Sequence, residues 1–295
     1  MKITGALSPD QRLYATTNSN RIRLFDTKTS QLKFTLVDNN HENGVNGDTI
    51  LAHVQNYGGG EEHYLISSVR NSHVFCIWDL RRGIMVHRVD LATADTEGSM
   101  MVLDVCNTTC SLDKVVAVNV LVVDGSDSVS NKQKVMIYQY NPRNGELVRK
   151  IKTGADMVAD ASSSECGSNS ARFSISACGS RFAVISNSSS STAVIRIIDA
   201  VSGKRLEKIK FKKGTAAAAG FLNFAQNSAE YLTIGGGPSG ADAVYIVRCN
   251  TSRGTDEVTD TEQVKATLAV DSLPVHAHMI LRDGHTNGSS KQYIC

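Results

Sequence analysis

An all-β fold made by repeating one antiparallel sheet unit is what this sequence predicts, and three observations carry the prediction. The first is a strand–turn–strand pattern in residues 172–214. Two apolar runs flank a serine-rich turn, the second ending at Asp199, and Ala200-Val201-Ser202-Gly203 then leads into an alternating run from Arg205 to Phe211. Short runs rich in Ile and Val, bounded by Ser, Asn and Gly, read as antiparallel strands of a meander. The second observation is recurrence. Aligning on the turn after the middle strand makes Asp26, Asp79, Gln139 and Asp199 equivalent, at intervals of 53, 60 and 60 residues. The third is that no helical periodicity separates the copies. Strands at a near-constant interval without helices imply radial repetition, a β-propeller whose sheets bury their faces against their neighbours.

The copies follow in order. In the first, Leu7–Ala15 supplies a turn and a strand, Ile22–Asp26 the middle strand, and the run through Leu32 the next turn. The second has Val74–Asp79 followed by Leu80-Arg81-Arg82-Gly83-Ile84. The third has Val135–Tyr140, then Asn141-Pro142-Arg143-Asn144-Gly145-Glu146-Leu147. The fourth is the 172–214 unit, whose opening Ile175–Ala183 parallels Leu7–Ala15. Ala243–Arg248 falls near the next interval and reads as a fifth.

Trp78-Asp79, with the variants Phe25-Asp26 and Ile198-Asp199, resembles the repeat signature of WD-repeat propellers. The Gly-His pair that precedes each Trp-Asp in that family is absent from every recognisable copy; the one Gly-His pair is Gly284-His285. The resemblance implies a single WD-repeat propeller domain over residues 1–295, with Asp26, Trp78, Asp79 and Asp199 as structural repeat positions. Such rings usually close with seven blades. About five are recognisable at this spacing, and Ser290–Cys295 reads as the start of a strand, so the expectation is an incomplete, truncated seven-bladed ring.

The length suffices for one large propeller core. Formal net charge is +2, with 31 Lys and Arg against 29 Asp and Glu, which argues against a generally basic nucleic-acid binder. Seven dispersed cysteines, several within apolar runs, fit buried thiols in a reducing compartment better than a disulfide framework. No apolar leader and no 18-residue apolar run is present, so an intracellular protein with no membrane partner is expected.

Charge concentrates in the run Lys204–Lys213. Alternation on a strand turns Ile209 and Phe211 inward and Lys208, Lys210 and Lys212 outward, with Lys213 following. The same strand of the third copy carries Arg149, Lys150 and Lys152. In a propeller this strand is outermost, so these seven cations form a candidate rim for RNA phosphate or acidic protein segments. The plainer reading is that lysines on an exposed edge strand block edge-to-edge association.

Other candidates carry less. His276 and His278 share a strand face near His285, yet a third ligand must be guessed and a fourth is missing. Cys106 and Cys110 lack a second Cys or His pair. The glycine stretches Tyr57–Gly60 and Gly235–Gly240 lack a P-loop Lys-Ser/Thr and open no helix. No catalytic, metal or cofactor-binding residue is assigned, and no cofactor or small-molecule substrate is expected.

A propeller without chemistry is a rigid platform for several partners. Ser174–Gly179 through Asp199, Ala217–Phe224, Tyr231–Gly235 and Val244–Val247 are similar to consecutive blades of the nucleolar WD-repeat subunits of the UtpA subcomplex of the small-subunit processome. Thr267–Val275 and the opening Leu7–Asp26 are similar too. This resemblance implies a non-catalytic scaffold for pre-ribosomal RNA transcription and processing, located in the nucleus and nucleolus. Its partners would be other proteins of a large complex and pre-ribosomal RNA. The alternative is a cytoplasmic WD-repeat adaptor, such as a ubiquitin-ligase substrate receptor or trafficking scaffold.

Overall fold

The computed structural model describes residues 5–7, 12–18, 21–37, 49–55, 63–69, 72–91, 100–106, 117–124, 132–158, 171–176, 178–187, 193–210, 221–225, 228–235, 243–249, 258–259, 264–269, 279–282 and 291–294. All secondary structure among them is strand. None of it is a helix long and apolar enough to cross a membrane.

Four strands, β1 (Gly5–Leu7), β2 (Leu13–Asn18), β3 (Arg21–Asp26) and β4 (Leu32–Val37), form an antiparallel meander. The second sheet repeats it with β5 (Thr49–Gln55), β6 (His63–Val69), β7 (Val74–Asp79) and β8 (Ile84–Asp90). The third uses β9 (Met101–Cys106), β10 (Val118–Asp124), β11 (Lys132–Tyr140) and β12 (Leu147–Val158). The fourth uses β13 (Arg172–Ile175), β14 (Arg181–Asn187), β15 (Ala193–Asp199) and β16 (Arg205–Lys210). The fifth consists of β17 (Phe221–Phe224), β18 (Tyr231–Gly235), β19 (Ala243–Arg248) and β21 (Val264–Ala269). Between β19 and β21, the short β20 (Val258–Thr259) leaves its own sheet and pairs in parallel with β16. A hairpin of β22 (Met279–Arg282) and β23 (Lys291–Ile294) follows.

The chain divides into two compact units, residues 1–126 with 137–151, and residues 127–136 with 152–295. In the first, Ala15, Ile22, Leu24 and Leu36 of the first sheet pack on Leu65, Val74, Cys76 and Trp78 of the second. These are the period-two apolar positions of each strand, so each sheet covers its neighbour's face. The ring of Phe75 meets the edge of Tyr140 at 4.9 Å between centroids, tying the second sheet to the third. In the second unit, Ala183, Ile185, Ile195, Ile197 and Ile209 pack on Leu222, Phe224, Leu232, Ile234, Tyr245 and Val247.

The same turn recurs after the third strand of four sheets. The backbone N–H of Ser30, Gly83, Gly145 and Gly203 donates to the carbonyl of Asp26, Asp79, Asn141 and Asp199, at 2.8, 2.8, 2.8 and 2.9 Å. The donor residue takes φ of 56°, 68°, 72° and 72° in turn. That left-handed conformation is why three of the four are glycine. Register then shifts by one residue, between Leu24 and Phe25, Ile77 and Trp78, and Ile197 and Ile198, as expected for a bulge beside an αL residue.

Candidate interaction surface

The repeated acid has a local task. The Asp26 carboxylate accepts the N–H of Lys28 and Thr29, both at 3.0 Å. Asp79 accepts those of Arg81 and Arg82 at 2.8 and 3.3 Å, and Asp199 those of Val201 and Ser202 at 3.2 and 2.6 Å. Each side chain thus caps its own turn, a role that needs no Gly-His partner elsewhere in the repeat. In the third sheet the residue so placed is Asn141, whose side chain accepts the Arg143 N–H at 3.0 Å. This corrects the expected equivalence of Gln139, which lies two residues earlier and donates to the buried Asn119 side chain at 2.9 Å. The spacing Asx-x-x-x-Gly, shared by Asp79/Gly83, Asn141/Gly145 and Asp199/Gly203, is the signal that locates Asn141.

Hydrogen bonding sets the charge state of Asp26. The Thr29 N–H and the Lys33 ammonium, 3.1 Å away, hold its carboxyl at about 2, below the ordinary 3.8. Trp78 is buried, and its indole N–H donates to Ser67 Oγ at 2.9 Å.

Eight residues after Asp26 and Asp79, the side chains of Phe34 and His87 on the outermost strand reach the next sheet's turn. A Cβ placed on Gly83 would lie 3.3 Å from the Phe34 ring, and one on Gly145 would lie 3.0 Å from the His87 ring. His87 Nε2 also lies 2.8 Å from the Arg143 carbonyl. In the second unit the corresponding residue, the buried Glu207, acts on Cys249 in the turn following β19. Burial pushes the Cys249 thiol up, Glu207 and Glu230 adding to the effect and Arg181 opposing it. Arg181 also donates to the Ala229 carbonyl at 3.3 Å, and Ser174 Oγ accepts the Phe224 N–H at 3.1 Å.

The predicted cationic rim is distributed over two strands. On β12, Lys150 and Lys152 are exposed and Arg149 half-buried, and the Lys150 ammonium lies 4.8 Å from the Tyr138 ring centroid. On β16, Lys208 and Lys210 are half-buried, while Glu207 and Ile209 turn inward. The expectation of an exposed edge at β16 is corrected, because β20 pairs along it with Lys208 opposite Val258 and Ile209 opposite Thr259. Lys212, Lys213, His276, His278, His285, Cys110 and the glycines beyond Gly235 lie outside the described residues.

Cys178 is the exposed thiol among the free cysteines described. Partial burial works to raise its pKa, but hydrogen bonds with Ser180 Oγ at 2.9 Å and Ser176 Oγ at 3.5 Å outweigh it, and the net shift is downward. No group of three or more His, Cys, Asp or Glu side chains able to hold a metal occurs among the described residues.

Repeated four-stranded antiparallel sheets, capped turns and sheet-to-sheet contacts define an all-β protein of the β-propeller class. No protein-family profile matches the chain, and no curated protein matches it. Among solved structures, it is similar to the β-propeller domain of Cps50 (Swd1) from Myceliophteria thermophila, with TM-score 0.56 and 12% identity over 91% of this chain and 72% of that one. It is also similar to hydrazine synthase of Kuenenia stuttgartiensis, with TM-score 0.52 and 14% identity over 83% of this chain and 62% of that one. The Dos1 propeller gives TM-score 0.51 and 11% identity over 83% of this chain and 55% of that one. At these identities the likeness is one of fold.

Proposed function

We propose that this chain is a non-catalytic propeller scaffold for macromolecular assembly, acting in nucleolar biogenesis of the small ribosomal subunit. The observation that carries the scaffold reading is the repeated sheet-to-sheet contact, Phe34 on Gly83 and His87 on Gly145. It joins the turns at Gly83 and Gly145 to the preceding sheet and makes a stiff platform from elements that could not bury their own faces. The nucleolar assignment rests on the similarity of Ser174–Asp199, Ala217–Phe224 and Tyr231–Gly235 to the UtpA propeller subunits. Exposed Lys150 and Lys152 supply cations suited to acidic protein segments or RNA phosphate.

Affinity purification of the tagged full-length protein, with mass spectrometry of proteins and sequencing of RNA, tests this function. Recovery of processome subunits with precursor ribosomal RNA is the expected result. Recovery of a ligase, coat or signalling complex without that RNA would keep the scaffold and overturn the nucleolar role.

A further inference from the structure

The two faces of the first sheet meet different surroundings. Ala15, Ile22, Leu24 and Leu36 are buried against the second sheet. On the opposite face the strand registers set Tyr14 beside Phe25, Phe25 beside Leu32, and Arg21 beside Val37, cross-strand partners pointing to the same side. Tyr14, Leu32 and Val37 are 41%, 52% and 44% exposed, and Arg21 and Arg23 are exposed with them. The same places are buried in the other sheets. Arg23 and Phe25 stand three and one residues before the cap Asp26, as do Cys76 and Trp78 before Asp79, Tyr138 and Tyr140 before Asn141, and Arg196 and Ile198 before Asp199. All six of those later residues are buried. The fourth sheet also shows how a cation fits under cover at this place, since the Arg196 guanidinium donates to Ser186 Oγ at 2.8 Å.

Charge and size select the occupant of the open face. Asp26 is the one acid among the described residues of this sheet, and its carboxylate is held by its own turn and by Lys33. Covering Tyr14, Phe25, Leu32 and Val37 also takes Arg21 and Arg23 out of water, which is costly unless the cover brings carboxylates to them. A second copy docked face to face about a two-fold axis would set these cations against their own equivalents, so it fits poorly. The six-residue strand β3 spans about 20 Å, and four strands are about 14 Å across, room for one α-helix of about 10 Å diameter and about 13 residues. We propose that this face of the first sheet docks an amphipathic helix of a partner protein, with carboxylates at Arg21 and Arg23 and apolar side chains on Tyr14, Phe25, Leu32 and Val37. This deepens the scaffold reading and rests on it for the existence of a partner.

The test uses the full chain and two fluorescent helical peptides of about 14 residues, read by anisotropy. One presents Leu and Glu on its docking face, and the other has Lys in place of every Glu. Saturable binding of the Glu probe is expected, at least tenfold tighter than that of the Lys probe. The R23E chain should reverse this preference, weakening the Glu probe at least tenfold and gaining the Lys probe, a switch that a misfolded variant could not produce. Leu32→Ser should weaken the Glu probe as well. No saturable binding, equal binding of the two probes, or an R23E chain that keeps the Glu probe or fails to gain the Lys probe would each overturn the proposal. Sedimentation showing a dimer that Leu32→Ser abolishes would assign the face to a second copy and overturn it too. These outcomes leave the scaffold reading to its own purification test. Tight, R23E-reversed probe binding alongside a purified protein that brings down no complex would instead fail the scaffold reading alone.

Discussion

His87 on β8 and Arg143 in the turn before β12 are 56 residues apart, and the imidazole Nε2 lies 2.8 Å from the Arg143 carbonyl. The other edge of the ring sits over Gly145, where φ is 72°. One side chain thus seals a neighbouring turn and satisfies one of its carbonyls, with the Nε2 hydrogen as donor. Phe34 occupies the matching place over Gly83 and seals without bonding.

That comparison orders two variants. His87→Phe keeps the ring over Gly145 and forfeits the hydrogen bond, a loss of about 1 kcal/mol. His87→Ala loses both and is expected to cost about 2 kcal/mol or more. Urea unfolding, read as a change in midpoint, checks the order.

Gly145→Ala places a methyl group 3.0 Å from the His87 ring in a backbone conformation that L residues avoid, so a loss of about 1–3 kcal/mol is expected. Ser30 already bears a side chain at φ 56°, and Ser30→Gly is expected to cost nothing or to stabilise by up to about 1 kcal/mol. Thermal unfolding of the two variants should move in opposite directions or leave Ser30→Gly unchanged.

Asn141 and Gln139 separate by substitution. Asn141→Asp retains an acceptor for the Arg143 N–H and is expected to be nearly neutral. Gln139→Asp withdraws the amide that donates to buried Asn119 and is expected to cost about 1–3 kcal/mol. Equal effects in denaturant melts would refute the assignment of Asn141 as the cap.

Asp26 predicts an acid dependence. Its carboxyl is held at about 2 against an ordinary 3.8, so the folded state favours the ionised form. The stabilisation is complete above about pH 4 and is lost as pH falls through about 2. A carboxyl NMR titration should find a midpoint near 2, moved upward in Lys33→Met and still below 3.8 because the Thr29 N–H remains.

Thiol labelling of the folded protein should modify Cys178 well before Cys76 or Cys249. Cys178 is exposed with its pKa shifted down, whereas the other two are buried and burial pushes the Cys249 thiol up. Labelling of Cys249 at the rate of Cys178 under native conditions would contradict the packing around β19.

The sequence by itself determined the sheets and their turns. Apolar alternation places Ile22, Leu24, Ile195 and Ile197 inside, and the Asp or Asn four residues before a left-handed glycine marks three of the four turns, because both depend on neighbours within a few residues. Aligning the copies on the turn after the middle strand points to Gln139, whereas the turn chemistry sits two residues later at Asn141. Only the tertiary structure decided that β16 is covered. Lys150-Ile151-Lys152 and Lys208-Ile209-Lys210 read alike, and nothing local says that residues 258–259 return from the next sheet to pair with the latter. The contact of His87 with Gly145 is equally silent in the sequence, because it depends on how one sheet is laid against another and not on the strands that build either.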